Sequence, residues 1–144
     1  MKLLLIVAHP DDETFGCGSV LAHAAASGVE SVVVCATRGE LGEVNGRVAR
    51  STMDPEAVGV LREAELRAAC AQLGVSRVDV LGWRDSGVVG DPAAGSLVAA
   101  PTAEVAREVA QLVDEIRPDI LMVPEGSDGH RDHLAVRDAT VAAR

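Results

Sequence analysis

Two short stretches of the chain carry residue types that do chemistry. "HPDDE" at residues 9–13 puts an imidazole and three acids into five positions, and "HRDH" at 130–133 puts two imidazoles around an acid. Carboxylates packed this closely repel one another unless a positive charge sits among them. His9 and Asp12 are three apart across a strand end and a helix start, so both can face one crevice while Asp11 projects differently. His130 and His133 share a face if they lie on one helical turn. Two imidazoles and a carboxylate form a nitrogen-and-oxygen set that suits zinc, and three protein ligands leave a position for water. Each stretch alone has a plainer reading: a helix start with an acidic first turn, or a pair of surface histidines.

The elements that must position these residues favour the functional reading. Residues 2–8 form a continuous apolar run stopped by His9-Pro10, as expected of a buried parallel strand. A helix follows, capped by Asp11 or Asp12, with Phe15, Val20, Leu21 and Ala24 as its apolar face and Gly28 as its stop. "SVVVCA" at 31–36 repeats the buried-strand pattern, and the polar, Gly-rich residues 37–47 read as a loop. Helical spacing returns from Pro55 to Leu73, "RVDVLGW" at 77–83 reads as a third strand, and 84–96 as a second long loop. Residues 102–116 form an amphipathic helix closed by Arg117-Pro118, 119–124 a fourth buried strand, and the chain ends in helical sequence.

This alternation predicts one domain over 1–144, an α/β doubly wound Rossmann-like parallel sheet with helices on both faces. Ligands of such sheets bind beyond the carboxyl ends of the strands, where strand order reverses. The usual order puts the first and fourth strands on either side of that point. The two motifs follow those two strands.

Composition narrows the partners. A net charge of −9 over 144 residues argues against nucleic acid and anionic membranes, which need a basic field. No apolar run approaches the length of a membrane span. Three scattered cysteines without a C-x-x-C pair fit a reducing cytoplasm rather than a disulfide framework.

"AHPDDE" after the first strand and "GHRDH" after the fourth resemble the zinc-dependent LmbE-like (PIG-L) de-N-acetylases, which remove acetyl groups from N-acetylglucosamine-type conjugates. "TRGELGE", "LREAELRAACAQLGV" and "DSG" extend the resemblance over nearly the whole chain. It implies one zinc ion per chain, held by His9, Asp12 and His133, with Asp11 as general base and His130 stabilising the oxyanion. Asp132 would orient a ligand histidine, and Arg62 would meet sugar hydroxyls or a phosphate; an exposed helix arginine paired with Glu63 or Glu65 is the plainer reading of Arg62. Asp85 and Glu40 would hold polar substrate groups or simply cap their loops. The implied partner is a small N-acetylated sugar conjugate.

The pattern departs at Arg131, where the family usually has proline, and at the end of the chain, since members run further and their C-terminal part completes the sheet. A homo-oligomer or another partner covering that open side is therefore expected, and a zinc-binding chain without a complete catalytic pocket is a second possibility. A receiver-type signalling domain holding magnesium would need a lysine after its last strand, and none is present. A dinucleotide-binding first turn would need a Gly-rich cradle, where this chain has three acids that repel pyrophosphate.

Overall fold

The structure is a computed structural model and describes residues 1–44, 47–48 and 53–143. Four strands, β1 (Lys2–Val7), β2 (Glu30–Cys35), β5 (Arg77–Val80) and β6 (Ile120–Met122), form one parallel sheet in the order β5-β2-β1-β6. The apolar run of β1 is explained by its surroundings, because both of its faces are covered. Leu4, Ile6 and Ala8 pack with Val105, Val109 and Val136 of helices α4 (Thr102–Ile116) and α5 (Arg131–Ala142). Leu3, Leu5 and Val7 pack with Leu21, Leu66 and Cys70 of α2 (Gly18–Ala26) and α3 (Pro55–Gln72). The chain therefore winds away from β1 through β2 to β5 with helices on one face, then returns to β6 on the other side of β1 with helices on the opposite face. The reversal falls between β1 and β6, paired in the register Leu3↔Ile120 to Leu5↔Met122. Beyond those two strand ends lie both motifs.

The first helix departs from the expectation. It is two helices, α1 (Asp12–Phe15) and α2, broken at Gly16-Cys17. Phe15 and Val20 do not join Leu21 and Ala24 in the core; they are 89% and 40% exposed. The break lets α1 angle its acids toward the strand ends while α2 lays Leu21 and Ala24 on the sheet, and Gly16 makes it cheap by its poor helix propensity. The residues expected as a loop at 37–47 include two short antiparallel strands, β3 (Glu43–Val44) and β4 (Arg47–Val48); residues 45–46 and 49–52 lie outside the described residues. The third and fourth strands are shorter than their apolar runs suggested, ending at Val80 and Met122. Among the described residues β6 has only β1 as a neighbour, so its far side is a sheet edge. No helix among them is long and apolar enough to cross a membrane.

Because β1 packs on both faces, truncating it opens a void that neither helix layer can close. Leu5→Ala, at a fully buried position, is expected to cost about 2–5 kcal/mol in urea unfolding; a loss below about 1 kcal/mol would show that the layers collapse around it.

Candidate metal centre

Asp11 is the junction on which the first motif turns. Its φ of 106° lies in the left-handed region that non-glycine residues avoid, so the backbone there is strained. Three contacts hold it: the Asp11 N–H donates to Glu13 Oε2 at 2.9 Å, and the Arg62 guanidinium donates to the Pro10 carbonyl at 2.6 Å and to Asp11 Oδ2 at 2.8 Å. Glu13 is buried, and its carboxylate serves the N-terminus of this helix. The turn separates the two aspartates, sending Asp12 back toward the strand end. There its Oδ2 accepts the N–H groups of Ala8 and His9 at 3.2 and 2.9 Å.

Arg62 is buried on α3 and is not the exposed helix arginine of the plainer reading; Glu63 pairs with Arg67 instead. Besides Pro10 and Asp11, Arg62 donates to the Gly39 carbonyl at 2.8 Å. Gly39 and Gly42 are required by this approach, since a Cβ at either would collide with the guanidinium. Its charge is thus committed to the Asp11 turn and the loop after β2, although it also borders the crevice.

The second motif meets the first across β1 and β6. His130 is the N-cap of α5, and its Nδ1 accepts the Asp132 N–H at 3.2 Å. A neutral His130 ring must then carry its proton on Nε2, as a donor available to the crevice. His9, His130 and His133 each bring one nitrogen to within 4.8 Å of the others. Asp12 lies 3.9 Å from His9 Nδ1 and 3.2 Å from His133 Nε2. That Nε2 is buried and out of line for a hydrogen bond, an orphaned polar atom among carboxylate and imidazole donors. The far nitrogens are each held by an acid: His9 Nε2 by Asp132 Oδ2 at 3.0 Å and His133 Nδ1 by Asp128 Oδ2 at 2.6 Å. Carboxylates behind imidazoles in this way are the usual support of metal-bound histidines, so the donor set fits zinc.

A second group, His9, Asp85 and Asp132, surrounds the other side of the His9 ring. All three are buried, and their acids already accept backbone N–H groups: Asp132 from Ser86 at 2.9 Å, Asp85 from Leu41 at 3.1 Å and Gly87 at 2.7 Å. The His9–Asp12–His133 side instead opens into a crevice of about 330 Å³, which a reacting metal needs. Glu40 does not line that crevice. Its Oε1 accepts the Asp85 N–H at 3.0 Å, which is the loop-capping role. Asp85 borders the crevice and caps its loop as well.

Electrostatics follow from this crowding. Burial alone would depress the His9 imidazole, but Asp132 and Asp85, with Asp12, push it up to about 10. Burial likewise opposes ionisation of Asp85, yet His9 and the N–H groups of Gly87 and Leu41 hold it well below the usual carboxylate range. The cluster demands positive charge, which a proton or a divalent cation supplies. Burial raises the Asp11 carboxyl against the pull of Arg62, and burial with the neighbouring His9 lowers His130.

Sequence reasoning passed over Asp128. It sits two residues before His130, whose N–H it accepts at 3.0 Å, and five before His133. Its one signal is an acid at the start of "DGHRDH". Cys17 packs against the core, and Cys35 Sγ donates to the Thr37 carbonyl; neither belongs to the donor groups around His9.

Comparison with known proteins agrees with the architecture. Residues 4–144 match the model of the PIG-L family, described as GlcNAc-PI de-N-acetylase. A 1D-myo-inositol 2-acetamido-2-deoxy-alpha-D-glucopyranoside deacetylase of Kineococcus radiotolerans is 42% identical over 99% of this chain and 44% of its own length, so the chain spans about half the length of the curated relatives it matches. Among solved structures, a teicoplanin deacetylase in a zinc-inhibited form is 26% identical with a TM-score of 0.78, over 99% of this chain and 63% of that one. GalB, a 4-carboxy-2-hydroxymuconate hydratase from Pseudomonas putida KT2440, is also 26% identical, with a TM-score of 0.74 over 99% and 55% of the two chains. Family model, sheet order and the pairing of the two motifs agree: the chain belongs to the PIG-L family of de-N-acetylases.

Proposed function

We propose that the crevice binds one zinc ion through His9, Asp12 and His133 and hydrolyses the N-acetyl amide of an N-acetylglucosamine-type conjugate to a free amine and acetate. The observation that carries this reading is the placement of Asp11 and His130 at the same crevice as a supported His-Asp-His donor set. The names of the deacetylase relatives support the same substrate class. A zinc ion held there would supply Lewis acidity, polarising the acyl carbonyl and lowering the pKa of a water.

The chain's own groups do the rest. Asp11, anchored by Arg62, accepts a proton from the attacking water and returns it to the departing nitrogen. Its strained turn aims the base independently of Asp12. His130, with its proton fixed on Nε2 by the Asp132 N–H, donates to the oxygen where negative charge develops. Asp132 and Asp128 keep the rings of His9 and His133 in register. A hydratase reading, prompted by the resemblance to GalB, would use the same metal and acid-base pair; the deacetylase reading is preferred because the relatives of higher identity are named deacetylases.

The direct test is release of acetate from N-acetylglucosamine and its inositol conjugate by the zinc-loaded protein. Hydrolysis is expected, with Asp11→Asn lowering kcat by about 10²–10⁴-fold; bound zinc without acetate release from either sugar would reject the reaction. Asp128→Asn is expected to weaken zinc binding about 10–100-fold in chelator competition, and unchanged affinity would remove Asp128 from the centre.

A further inference from the structure

Arg131 stands at the first position of α5, between His130 and Asp132, yet its side chain faces neither. It reaches to the loop after β5, where Nε donates to the Gly87 carbonyl at 2.6 Å, one terminal nitrogen to Gly90 at 2.7 Å, and the other to Ser86. One guanidinium thus takes three carbonyls within five residues. The planar fork of donors suits such a grip, which an ammonium cannot reproduce.

Ser86 and Gly87 of the clasped segment are buried, but its outer part is not. Val88 and Val89 are each 70% exposed, between Gly87 and Gly90 at φ of 64° and 84°. Such a segment samples many conformations unless tied down. Core formation does not explain the tie, because the two valines remain in solvent. Position does: Gly87 and Val88 form part of the crevice wall, with Leu41 and Gly42 from the loop after β2. The root of the same segment is fixed to the metal centre, since the Ser86 N–H donates to Asp132 Oδ2, the oxygen that also holds His9.

We infer that Arg131 is a positioning residue that locks the Ser86–Gly90 segment to the ligand-bearing helix and so presents Val88 as an apolar contact for the substrate, selecting conjugates with an apolar face beside the acylated sugar. This rests on the deacetylase reading for the identity of the substrate and on the geometry alone for the clasp. Arg131→Pro isolates the side chain. Proline suits the first helical position, and His130 already has the extended φ −71°, ψ 122° favoured before proline. Val88→Ser, on an exposed loop, leaves the clasp in place.

The test pairs amide hydrogen exchange of Ser86 and Gly87, whose N–H groups donate to Asp132 and Asp85, with kinetics on free N-acetylglucosamine and its phenyl glycoside. In Arg131→Pro the exchange is expected to quicken by about tenfold or more, from loss of charge-assisted hydrogen bonds. Both variants are expected to raise KM for the phenyl glycoside about fivefold or more relative to any change in KM for the free sugar. Exchange equal to wild type would overturn the clasp. Faster exchange with an unchanged phenyl-glycoside KM would overturn the role in selection. If the wild-type protein turns over neither sugar, the deacetylase reading fails by itself, while the exchange result still upholds or overturns the clasp.

Discussion

Three carboxylates, those of Asp12, Asp85 and Asp132, converge on the one buried imidazole of His9, and their mutual repulsion sets the terms for the structure around them. Each acid accepts a specific set of donors: backbone N–H groups of the β1 end for Asp12, of the loops after β2 and β5 for Asp85, and of Ser86 for Asp132. Segments that pack little against one another are joined through these bonds. The cluster calls for positive charge where the crevice opens, and a divalent cation would satisfy it without titrating away.

Sheet topology brings the charges together. β1 and β6 are neighbours only because the chain reverses direction between them, so residues separated by more than 120 positions meet at hydrogen-bond distance. The helices then divide the labour. α1 begins at a strained Asp11 that separates the carboxylate proposed for proton transfer from the one proposed as a metal ligand, and α5 begins at a histidine whose tautomer is fixed by its own helix. Arg62 serves the turn from α3, and two glycines make room for it.

Much of this was legible in the sequence because it is local. Apolar runs stopped by breakers gave the four strands, and their alternation with helical spacing gave the topology. From that followed the meeting of His9, Asp12, His130 and His133. What was not legible depends on contacts distant in the chain. Nothing near Arg62 marks it as the partner of Pro10 and Gly39, and nothing near Arg131 points to carbonyls more than 40 residues away. Phe15 misled because helical periodicity assumes an unbroken helix, and the break at Gly16-Cys17 turned its side chain to solvent. Glu40 has the chemistry of a substrate contact, but it lies outside the crevice lining and one of its oxygens caps the Asp85 N–H.

The central claim is that this centre holds zinc through imidazole and carboxylate. X-ray absorption of the zinc-loaded protein tests it most directly. The expected spectrum has nitrogen and oxygen scatterers at about 2.0–2.1 Å with the outer-shell signature of two imidazoles, reduced to one in His133→Ala. A sulfur shell at about 2.3 Å, or a zinc site without imidazole, would contradict it.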